Sequence, residues 1–214
     1  TLALPPHCRL PVTGAARAHM PPSRSPEAAE PGGSRPALLR TLGEARVLSP
    51  DGLRELLGPG KPLALLAYLA CSPRQSATRE HLVDLLWSDL EPDRGRHALR
   101  QTVWYLRQLF GTEALTGRGG ELTLLASIAV DRVEFLAAVE RGDLLRAAEL
   151  YQGDFLGGFA APGSIEFEHW ADVERQRLRS VFLRAAETVA RQWLDAGRVR
   201  EAQQLARRAR DADP

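Results

Sequence analysis

Cysteine is nearly absent: Cys8 and Cys71 are the only two in 214 residues. So few and so far apart, they make neither a disulfide framework nor a metal-ligand spacing, which fits a reducing cytosol. Long hydrophobic runs are missing. The longest, 62–71, is far too short to cross a bilayer, and the first residues lack the charged start and apolar stretch of a signal peptide. The chain is therefore expected to be cytoplasmic, without membrane association. An excess of one charge is missing too. Lys and Arg number 28 against 27 Asp and Glu, a net of +1, so any surface for a polyanion must be local. A hydrophobic content of 44% and a charged content of 26% are those of a globular protein. The length allows one or two domains and a sizeable core. The chain begins with Thr1 and stops at Pro214 just after a helical pattern, which reads as a fragment.

Residues 1–36 hold eight of the fifteen prolines and show no periodicity. Such a composition buries too little apolar surface to offset the entropy of ordering, so a disordered tail is predicted. Residues 37–49 read as one or two strands, followed by the turn Pro50-Asp51-Gly52. Residues 53–57 continue as a strand or a short helical turn. Pro62 suits the first position of a helix whose face carries Leu63, Leu66, Ala67 and Ala70. The preceding Gly58-Pro59-Gly60-Lys61 is not a phosphate loop: Glu55 stands where its first Gly belongs and Pro62 where its Ser or Thr belongs. Ser72-Pro73 ends this helix, and 75–77 suggest a short strand. Thr78 is a suitable N-cap for a second helix running to about residue 90, which Glu91-Pro92-Asp93 breaks.

The third helix, 93–110, reads DRGRHALRQTVWYLRQLF. Leu99, Val103, Leu106 and Phe110 fall on one stripe at helical spacing. The opposite side carries Arg94, His97, Gln101, Trp104, Tyr105 and Gln108, and a flank carries Arg96, Arg100 and Arg107. Four Arg against Asp93 leave three positive charges on this element. Arg and Gln are also the side chains that bond guanine and adenine edges in pairs. Three helices, the last two joined by a short turn, make a helix-turn-helix outline. Behind it, 114–116 and 121–125 read as strands around Gly117-Arg118-Gly119-Gly120, a hairpin in the position of a wing with Arg118 at its tip.

From Val130 onward the pattern is helical throughout. It comprises a pair broken at Gly142, a connector over 152–164, one long or two collinear helices over 165–196, and a last helix from about 199 to 210. Ala186-x2-Val189-Ala190-x2-Trp193, then Ala202-x3-Ala206 and Pro214, follow the spacing of a tetratricopeptide repeat. The five His accompany no recognisable nucleophile. Glu166-x-x-His169 is half of a di-iron motif with no second copy. No enzyme, metal or cofactor is expected.

The order of elements resembles the SARP family of bacterial transcriptional regulators over roughly 38–214. The carrying motifs are 63–69 (LALLAYL), Thr78-Arg79-Glu80-His81-Leu82, Leu85-Leu86-Trp87, Ala98-Leu99-Arg100-Gln101 with Leu106-Arg107, 150–156 (LYQGDFL), and Phe167-Glu168 through Trp170 to Glu174-Arg175. Trp104 and Tyr105 depart from the family, standing where smaller or basic residues are common. The helical half also stops short of the family's further helices, and there is no phosphoacceptor receiver.

The resemblance implies a mainly α protein. It would consist of a winged helix-turn-helix at 37–128, with a small N-terminal sheet and a wing hairpin, followed by an all-α tetratricopeptide-like activation domain at 129–214. The function expected is a DNA-binding transcription regulator, an activator. Gln101, Gln108, His97 and Arg94 are the candidates for base edges, and Trp104 and Tyr105 for sugars or thymine methyls. Arg96, Arg100 and Arg107 suit either phosphates or bonds within the domain. Thr78 and Arg79, at a helix start, suit a phosphate, and Arg118 a phosphate or the minor groove. RNA polymerase contact and self-association are implied for the helical half. The competing reading is a helical protein-interaction module with a non-binding winged-helix remnant.

Overall fold

The computed structural model describes residues 36–125, 128–161 and 163–213. The proline-rich stretch read as a tail therefore lies outside the described residues, apart from Pro36. Strands β1 (Ala37–Arg40), β2 (Arg46–Leu48) and β3 (Glu55–Leu57) form an antiparallel meander. Of the two readings open for 53–57, the strand is the one adopted. Helix α1 (Lys61–Cys71) follows, with Pro62 in its first turn. Leu63, Ala64, Leu65, Leu66, Ala67, Leu69 and Ala70 are all buried, so α1 is covered on nearly every side. Strand β4 (Ser76–Thr78) leads into α2 (Arg79–Trp87), where the Thr78 hydroxyl accepts the His81 N–H and satisfies one of the free amides of the first turn. Helix α3 (Pro92–Phe110) is next, ended by Gly111 in the left-handed region at φ 95°.

Two features of the following segment differ from expectation. The wing, β5 (Leu115–Arg118) and β6 (Glu121–Leu124), is not a free hairpin. It carries β4 as a third strand, in the order β4-β6-β5. Arg118 closes β5 opposite Glu121, and the turn itself is Gly119-Gly120, both at positive φ. In addition, a strand that the helical pattern concealed, β7 (Ile128–Val130), pairs in parallel with β1 and completes a sheet of order β3-β2-β1-β7.

The helical half comprises α4 (Asp131–Glu140), α5 (Leu144–Leu150), α6 (Ile165–Asp195) and α7 (Val199–Ala212). Residues 165–195 form one helix rather than two. Its buried side is Phe167, Ala171, Leu178, Phe182, Ala185, Ala186 and Val189, with Trp193 only half-buried. The connector ahead of it is structural: Phe155, Leu156, Phe159 and Ala161 are buried. Tyr151 stacks on Phe182 with ring centroids 4.2 Å apart.

The sheet half and the helical half share one hydrophobic core. At their seam the Asp131 carboxylate accepts the Thr41 N–H, the Thr41 hydroxyl and the Leu42 N–H at 2.6–3.0 Å. Backbone bridges join Leu42 to Phe155 and Glu44 to Gly157. On the other side Lys61 Nζ donates to Leu86 O and Ser164 Oγ, Ser88 bonds Glu166, and Tyr68 meets Trp170 edge-on at 4.9 Å.

Candidate nucleic-acid interface

Helix α3 lies on the core through Gly95, Leu99, Thr102, Val103 and Leu106. The expected stripe is present except that Phe110 is half-buried, while Gly95 and Thr102 join it. Gly95 marks the crossing of α2 over α3, where a Cβ would fall 2.7 Å from Val83 Cγ1. The close approach leaves the other side of α3 uncovered. Arg94, Arg96, His97, Arg100, Gln101, Trp104, Tyr105 and Gln108 are all exposed. Trp104 is 64% exposed and Tyr105 44%, so both rings present much of their surface to solvent.

The arginines on the flank have different surroundings. Arg107 donates from Nε and Nη2 to the carbonyl of Leu115 at 2.9 and 2.7 Å, which ties α3 to the wing. It serves within the fold, and its partner is a backbone carbonyl. Arg96 pairs with Asp93 at 2.6 Å, with both side chains largely in solvent, where such a pair is weak. Among the described residues the Arg100 guanidinium reaches only His97 Nδ1, at 3.5 Å. Arg79, the first residue of α2, gives its backbone N–H to Gly120 O at 2.9 Å. Its guanidinium lies across Gly117 of the wing, where a Cβ would fall 2.6 Å from Nη2. Thr78 is engaged as the helix cap, and Arg118 is exposed on the wing.

Arg79, Arg96, Arg100, Arg107, Trp104, Leu99 and Val103 together line a cleft of about 480 Å³ between α3 and the start of α2. Among the described residues no carboxylate lines it. The sequence pattern shows the α3 members at offsets of three and four, but not Arg79 and Gly117, which only the sheet pairing of β4 brings alongside. Among the described residues no group of His, Cys, Asp and Glu is placed to hold a metal ion. Glu166 of the half-motif bonds Ser88. No helix among them is long and apolar enough to cross a membrane.

A winged helix-turn-helix continuous with a helical-repeat half defines the class of architecture, and comparison with known proteins gives its content. Residues 130–214 match the bacterial transcriptional activator domain. The regulatory protein AfsR of Streptomyces coelicolor is 33% identical over 161 residues, 67% of this chain and 16% of that protein. The chain thus spans about a sixth of the length of that relative. The fold is shared with Mycobacterium tuberculosis EmbR, solved in complex with a low-affinity phosphopeptide. The TM-score is 0.51 at 18% identity, over 82% of this chain and 56% of that one. The activator-domain match and the shared architecture bear out the resemblance to SARP-type bacterial transcriptional regulators.

Proposed function

We propose that the protein is a DNA-binding transcription activator, with a DNA-reading part at 37–128 and an activation part at 129–214. The observation that carries this reading is the uncovered polar and basic face of α3, bearing Arg94, His97, Gln101, Trp104, Tyr105 and Gln108. Helix α3 enters the major groove, where Gln101, Gln108, His97 and Arg94 meet base edges. Trp104 and Tyr105 pack on sugars or thymine methyls. Arg96, Arg100 and Arg79 take phosphates, and the Thr78 cap holds the start of α2 toward the same strand. Arg118 on the wing reaches the adjacent backbone or minor groove. Arg107 contributes by fixing the wing against α3. The helical half contacts RNA polymerase and a second copy of the chain, and the protein works in the cytoplasm without catalysis.

Selection of duplexes from a random pool, followed by salt titration of the best ligand, tests the reading. With about five phosphates neutralised, log affinity falls against log salt with a slope near −4 to −5. Arg100→Ala with Gln101→Ala abolishes the selected motif. A slope near zero, or full binding by that double variant, returns the protein to the class of interaction modules.

A further inference from the structure

We infer that the cleft between α3 and the start of α2 is a binding site for a small amphipathic acid, a carboxylate carried on an aromatic or other flat apolar body, which competes with DNA. Its size, about 480 Å³, is that of a small-molecule site. Its chemistry has two parts. The walls are carbon: the edges of Leu99 and Val103, the Trp104 ring and the stems of four arginines. The charged groups of the lining are all of one sign, the guanidinium groups of Arg79, Arg96, Arg100 and Arg107, with Asp93 outside the cleft pairing only with Arg96.

The guanidinium groups are not equally available. Arg107 is held on the Leu115 carbonyl and Arg96 on Asp93. Arg79 and Arg100 have no carboxylate partner among the described residues. The fold keeps Arg79 in position, since only glycine at 117 lets its guanidinium lie across the wing. A planar fork of N–H donors suits a carboxylate better than any other small anion except phosphate. The choice between those two falls to the walls. A phosphate diester of DNA reaches the guanidinium groups but leaves the apolar lining unfilled. An aromatic acid buries its ring against Trp104 and the arginine stems while its carboxylate meets Arg79 and Arg100.

An acid seated there lies between α3 and any duplex docked on it. Competition with DNA rests on the proposed function, whereas binding of the acid does not.

The test is calorimetric titration of the full chain with 2-naphthoate and with its neutral analogue 2-naphthalenemethanol, while the Trp104 indole N–H is followed by NMR and identified through Trp104→Phe. The acid is expected to bind at least about tenfold tighter than the alcohol, the worth of a charge-assisted pair of hydrogen bonds, and to shift the Trp104 signal. Arg79→Gln with Arg100→Gln, checked for folding by its thermal transition, removes that preference. Trp104→Ala weakens both ligands. Equal affinity for acid and alcohol, an unmoved Trp104 signal, or no binding at millimolar acid overturns the inference. A selected duplex added to the acid complex is expected to displace the acid. If the acid binds as described and no duplex is ever selected, the site stands and the DNA reading falls. If a duplex binds and the acid does not, the site falls alone.

Discussion

Asp131 is buried, and its two oxygens accept N–H and O–H groups from Thr41 and Leu42, residues 90 and 89 positions away. It also takes the N–H of Arg132 at 2.8 Å. Every bond requires an acceptor. Asp131→Asn keeps the shape but turns one oxygen into a donor facing donors, so at least one buried N–H loses its partner. The expected loss is about 1–3 kcal/mol of stability, read from urea unfolding. Cys71 sits beside this seam, where burial pushes its thiol up to about 12. A thiol raised above its unfolded value of about 8.5 contributes stability that is complete below that value and is lost as pH climbs toward 12. In a Cys8→Ser background, Cys71 should therefore resist aromatic disulfide reagents at pH 8 until the chain unfolds. Between pH 8 and 10 the urea midpoint should fall more steeply with Cys71 present than in Cys71→Ala.

At the scale of elements, the packing of α2 against α3 determines how far the outer face of α3 stands clear of the core. Gly95→Ala adds a methyl where Val83, a β-branched side chain with little rotational freedom, already lies at 2.7 Å. Overpacking of about 1–3 kcal/mol exceeds the helix-propensity gain of up to about 1 kcal/mol. The net effect is a lower melting temperature and weaker duplex binding. The long elements were legible because their signals are local. Leu99, Val103 and Leu106 repeat within one helix, and Pro92 and Gly111 bracket it. The short strands were less so. Residues 128–130 are three apolar or small residues running straight into a helical pattern, and their strand identity comes from β1, far away in the chain. Arg118 was read as the tip because it lies within a glycine run, yet pairing with Glu121 makes Gly119-Gly120 the turn.

For the molecule as a whole, the seam means that the sheet half and the helical half fold as one unit. Cutting after residue 128 removes Asp131 from Thr41, Phe155 from Leu42 and Trp170 from Tyr68. It also exposes the faces of α1 and α2 that α6 covers. We expect a single calorimetric transition for the intact chain, and no cooperative transition for residues 36–128 or 129–213 alone, since each is left with unpaired backbone and bare apolar surface. Two separate transitions, each matched by one fragment, would contradict this.

By itself the sequence determined the amphipathic third helix, its basic and amide-bearing outer face, the helix-turn-helix order and the motifs shared with SARP-type regulators. All of these rest on spacings within a few residues or on side-chain identity. The tertiary structure alone decided the third wing strand, the parallel β7, the retention of Arg107 on Leu115 and the cleft that joins Arg79 to α3. The reason is physical. These features depend on backbone groups meeting across long stretches of chain, and a backbone N–H or C=O leaves almost no mark on which residue carries it.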